Sequence, residues 1–185
     1  MVATESQAWH ARSVRVAVAL LVLLLAACTT GPSTGTPSTS PSTPVSKRTQ
    51  QFESVFVLQD QKIRAVGSEQ EKTYGLAEYA ARVEFLDNTF KAEMLVASDY
   101  VKGNGTFEGF VTLESPEGDL GLRITGVTTA GDQGRGSSYS GETEIIGGTG
   151  EYDNLAGRGE FSGQRTGAPG TPVSVQVKLE LIDPK

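Results

Sequence analysis

Residues able to carry chemistry are unevenly distributed along these 185 residues. The only histidine, His10, and the only tryptophan, Trp9, precede the only cysteine, Cys28. From Thr29 onward there is no imidazole and no thiol. Ser-His-Asp and Cys-His nucleophilic mechanisms are excluded there, as are zinc sites of the His/Cys type. A single cysteine also rules out an intrachain disulfide. Carboxylates, phenols, lysine, arginine, amides and backbone groups remain. Asp99 and Tyr100 place an acid beside a phenol near a strand end, and Tyr79 and Tyr139 add two phenols. These four are the candidate catalytic residues, as acids, bases or hydrogen-bond donors. Asp119, Asp132 and Asp153 lack the ligand spacing of a calcium loop. No metal and no cofactor is expected.

The formal net charge of −6 narrows the partners. Nucleic-acid binding needs a basic face, so no nucleic acid is expected. An acidic chain is not drawn to anionic lipid either, so any membrane link must be covalent.

The N-terminal region supplies such a link. Arg12 and Arg15 precede the uncharged apolar run Val16–Ala27. That run has the length of a signal-peptide core and falls short of the ~20 residues that span a bilayer. An uncleaved signal anchor is the alternative. The run ends in Leu25-Ala26-Ala27-Cys28. This resembles the lipobox of bacterial lipoproteins. The resemblance implies that residues 1–27 are a signal peptide, that Cys28 is lipidated, and that the protein is extracytoplasmic and membrane-anchored in a bacterial cell envelope. Residues 28–46 are almost entirely Thr, Ser, Pro and Gly. They have too little apolar surface to offset the entropy of ordering, and read as a linker.

Residues 47–185 read as one β-domain. Phe52, Ser54, Phe56 and Leu58 alternate with polar or exposed-type positions. So do Tyr79, Ala81, Val83 and Phe85; Phe90, Ala92, Met94 and Val96; Phe107, Gly109, Val111 and Leu113; and Leu120, Leu122 and Ile124. Val173, Val175, Val177, Leu179 and Leu181 form the cleanest set. Period-two alternation puts each set on one face of a strand. Residues 138–146 and 157–164 are further strand candidates. Ala77–Glu84 also reads as a helix, but its β-rich surroundings favour strand. About eight antiparallel strands with internal glycines (Gly109, Gly126, Gly141, Gly159, Gly163) point to a small closed barrel, with a sandwich as the alternative.

The densest local pattern is Gly147-Gly148-Thr149-Gly150, followed by Tyr152 and by Ala156-Gly157-Arg158-Gly159. Neither a P-loop Lys-Ser/Thr nor an amphipathic helix follows, which argues against a phosphate loop. With Gly105-Thr106-Phe107-Glu108-Gly109, the pattern resembles the allene-oxide-cyclase/dirigent-like barrels. That resemblance implies an all-β antiparallel barrel with an apolar lumen, and either a cofactor-free cyclase or a ligand carrier. Tyr152 is expected to plug a barrel end. Phe85, Met94, Phe107 and Phe161 lie on the apolar register, where they either line a lumen with Tyr79 and Tyr139 or fill a closed core. Arg123 is expected to face outward, and Glu108, Glu142, Glu144 and Glu160 to form a solvated face.

Two functions from different classes fit. One is a lipid-anchored barrel that binds a hydrophobic small molecule, with a cyclase or isomerase of secondary metabolism as its enzymatic form. Its substrate would be polyketide- or lipid-like. The other is a non-catalytic envelope lipoprotein serving as a binding or structural module. Nothing in the sequence sets an oligomeric state.

Overall fold

A computed structural model of the protein describes residues 47–132 and 135–182. The expected signal peptide, Cys28 and the expected linker lie outside the described residues. The chain divides into two units, Met1–Pro41 and Ser42–Lys185, and the described residues belong to the second.

Eight strands follow in order: β1 (Lys47–Val66), β2 (Glu69–Phe85), β3 (Asn88–Val101), β4 (Asn104–Ser115), β5 (Gly118–Ala130), β6 (Ser137–Gly148), β7 (Ala156–Arg165) and β8 (Val173–Ile182). Each pairs antiparallel with the next, and β8 pairs with β1, so the sheet closes into an up-and-down barrel. Closure leaves no open edge where β8 pairs with β1 from Lys47 to Phe56, which is how such a sheet limits open-ended pairing. The segment Ala77–Glu84 lies within β2 and is strand, not helix.

Side-chain alternation divides inside from outside. In β8, Val173, Val175, Val177, Leu179 and Leu181 are all buried, and the residues between them are exposed. The outer wall carries the charges. Arg123 faces Glu144, Glu144 faces Arg158, and Arg158 faces Glu180 across successive strands. Opposite charges at directly facing positions favour this register. Arg123 also pairs with Glu108 at 2.7 Å on the outside. Glu108, Glu142, Glu144 and Glu160 are all exposed there.

One half of the barrel is solid. Leu113, Leu120, Leu179 and Leu181 have no exposed surface, and the Phe52 and Phe85 rings meet edge to face at 5.3 Å. Tyr152, on the 3₁₀ turn Gly150–Tyr152, closes this end. Its ring packs on Phe90 at 5.3 Å, and its hydroxyl accepts a hydrogen bond from Asn88 Nδ2 at 2.8 Å. The glycine-rich segment ties that plug to the β4–β5 turn. Thr149 N donates to Asp119 O at 2.8 Å, Asp119 N donates to Thr149 Oγ1 at 2.9 Å, and Glu151 N donates to Glu117 O at 3.0 Å. Gly150 has φ of +59° and lies against the Glu117 carbonyl, where a Cβ would collide. The motif thus shapes a cap and contributes no residue to the open half of the lumen.

The opposite half differs because β1 changes register. A β-bulge between Leu58 and Asp60 leaves Gln59 unpaired and reverses the alternation. Phe52 and Phe56 point inward before it; Gln61 and Ile63 line the interior after it. Without the bulge, Asp60 and Lys62 would face Ala77 and Gly75 in their place. The β8 ladder stops at Phe56–Val173, and β1 continues with β2 alone. The β1–β2 hairpin therefore extends beyond β8 at this rim.

Candidate functional site

The open half of the lumen is a cavity of about 280 Å³. Its floor and lower walls are apolar: Met94, Phe107, Ile124, Phe161 and Val173. Phe107 is the centre of the floor. Its ring stands 5.6 Å from Phe161 and 6.2 Å, edge to face, from Tyr139. Gly126, the β5 residue opposite Phe107, makes this possible, since a Cβ there would strike the ring tip and the Ser140 carbonyl. A glycine under an aromatic ring on the neighbouring strand is a recurrent device in coiled sheets.

The upper wall is polar but nearly uncharged. Tyr79 comes from β2, Tyr100 from β3, Thr128 from β5, Ser137 and Tyr139 from β6, and Arg165 from the last position of β7. Thr128 Oγ1 donates to the Tyr100 hydroxyl at 2.8 Å, and Arg165 Nη2 donates to Ser137 Oγ at 2.9 Å. Among the described residues, the hydroxyls of Tyr79 and Tyr139 have no hydrogen-bond partner within the protein. Arg165 Nε is buried and also has none. The walls contain no Asp or Glu, so Arg165 is the one charge of the cavity among the described residues.

Burial pushes the Tyr79 phenol up to about 12, with Tyr139 adding to the rise and the Arg165 charge opposing it. Burial also raises Tyr100, while its hydrogen bond with Thr128 pulls it back. A raised phenol stays protonated at neutral pH. The wall therefore presents neutral O–H donors and a guanidinium to an otherwise apolar space. That set stabilises negative charge on a bound oxygen, and the low dielectric strengthens each contact.

The structure brings together most of the residues singled out from the sequence. Tyr79, Tyr100, Tyr139, Met94, Phe107 and Phe161 all line the one cavity. Phe85 does not: it faces inward but lies in the solid half, against Phe52. Asp99 does not either. It neighbours Tyr100 in sequence, so alternation turns its side chain to the exposed outer face. Arg165, Thr128 and Ser137 were not singled out. The spacing Phe161, Gly163, Arg165 carries the signal for Arg165, because it continues the inward register one step past residue 164. Among the described residues, no three His, Cys, Asp or Glu side chains group to hold a metal ion.

Fold and site together define a closed eight-stranded antiparallel barrel with one capped end and one polar-rimmed, apolar lumen. No family model and no curated protein matches this chain by sequence. Among solved structures, the chain is similar to a pterocarpan synthase dirigent protein at 15% identity and a TM-score of 0.45. The match covers 83% of this chain and 100% of that one. A likeness that distant carries no function across.

Proposed function

We propose that this protein is a lipid-anchored, extracytoplasmic barrel that binds a hydrophobic small molecule in the open half of its lumen. The observation that carries the reading is the cavity of about 280 Å³, with an aromatic floor and unpartnered phenol donors above it. A closed core would fill that space with side chains, as the other half does. Apolar pockets with a few convergent polar groups are the usual form of a small-molecule site. A cavity of 150 Å³ holds one benzene, so the ligand has roughly a dozen non-hydrogen atoms inside the barrel.

The enzymatic form of the reading is cofactor-free cyclisation or isomerisation of that ligand. Such a reaction consumes no co-reactant. The barrel would hold a flexible substrate in one reactive shape, and Tyr79 and Tyr139 would donate to the oxygen on which charge develops. Binding comes first and is tested first. The neutral bicyclic probe 2-naphthamide, titrated into the purified full-length protein, is expected to bind saturably with one site and to raise the melting temperature. A ligand at a hundred times its Kd adds about 2.7 kcal/mol to stability. Absence of saturable binding across a panel of apolar molecules of this size would favour the structural-module reading. The anchor is tested by growth with labelled palmitate. Label is expected in the wild type and absent from Cys28→Ala, and label retained by that variant would refute lipidation at Cys28.

A further inference from the structure

We propose that the ligand carries a carboxylate, and that Arg165 is the residue that receives it. This rests on the lumen reading above and adds the chemical class of the ligand. Arg165 ends β7 at the cavity wall, and its Nη2 is held by Ser137. Its Nε is buried without a partner, and no salt bridge to Arg165 exists among the described residues.

A buried guanidinium donor without an acceptor costs stability, and a ligand that accepts from this guanidinium would offset that cost. Every other charge pair described here sits on the outer wall: Arg123 with Glu108, Lys91 with Glu93 and Glu114, and Lys102 with Glu71. Lys91, Lys102 and Arg123 meet acids in solvent, whereas the one cation lining the cavity faces phenols and apolar side chains.

The arrangement selects among anions. One guanidinium balances one negative charge. A phosphate dianion would leave a charge uncompensated in an apolar space, which is costly. A carboxylate is planar, and its two oxygens match the planar donor fork of arginine. Tyr79 and Tyr139 remain as neutral donors for its outward lone pairs. The apolar body of the ligand then rests on Phe107, Phe161 and Met94, below the head group.

The test compares two molecules of equal size that differ in charge. The purified full-length protein is titrated with 2-naphthoate and with its neutral isostere 2-naphthamide. The carboxylate is expected to bind about tenfold to a hundredfold more tightly, the range for a hydrogen bond to a charged group. Arg165→Met is expected to remove that difference, so that the two probes bind with equal affinity. Arg165→Gln, which keeps a polar head without the charge, is expected to do the same and serves if the methionine variant fails to fold. Equal affinity for both probes in the wild type would overturn the proposal, and so would a preference that survives loss of Arg165. In either case bound naphthamide would leave the lumen reading standing. Failure of both probes to bind the wild type would overturn the lumen reading itself, and this proposal with it.

Discussion

Tyr79 is where burial, charge and hydrogen bonding meet most clearly. Its phenol is pushed up to about 12, chiefly by burial, so it is a donor throughout the physiological range. The shift has a consequence for stability. The unfolded chain releases this proton near the ordinary value of 10, while the folded chain keeps it to about 12. Stability from this group is fully present below pH 10 and is lost as pH rises through 12. Denaturant unfolding of the wild type is expected to show that decline, and Tyr79→Phe is expected to flatten it. Equal slopes in the two proteins would contradict the burial argued for this ring. Asp99 shows the opposite case: a carboxylate next to Tyr100 in sequence that the strand turns away from the cavity. A side chain on the outer face has no route to the ligand, however well its chemistry suits a reaction.

The elements explain how much of this was legible beforehand. Period-two alternation gives the face of a strand, and from it Tyr79, Met94, Phe107, Tyr139 and Phe161 read correctly as inward-facing. Alternation does not give height along the barrel axis. Phe85 shares the inward face with Tyr79 on β2, but it lies three inward steps further along the strand, and the lumen is filled at one level and open at the other. Height follows from strand pairing around the closed sheet, which depends on register between segments distant in sequence. The bulge at Gln59 was equally hidden, because the readable pattern in β1 stops at Leu58 and the extra residue matters only once β2 is its partner. Arg165 lay one inward step beyond the readable end of β7. The capped end makes its own prediction. Tyr152→Ala removes a ring packed on Phe90 and is expected to cost about 3 kcal/mol or more, measured by denaturant unfolding. Because the cap and the cavity occupy opposite halves, affinity for a lumen ligand is expected to change little in that variant under conditions where it is folded.

At the scale of the whole molecule, the barrel divides its labour by height. The chain enters at Lys47, which pairs with Ile182 at the capped end. The capped half holds the fold together with leucine, valine and aromatic packing. The other half leaves space and sets phenols and one arginine around it. Val96, opposite Ala77 on the neighbouring strand, lies in the wall of that space. Val96→Trp would put an indole where the ligand is placed. The most direct test is calorimetric titration of wild type and Val96→Trp with 2-naphthamide, each first shown to be folded by circular dichroism. The account predicts one saturable site in the wild type and none in the folded variant. Unchanged binding in Val96→Trp would contradict it, because the ligand would then sit outside the lumen.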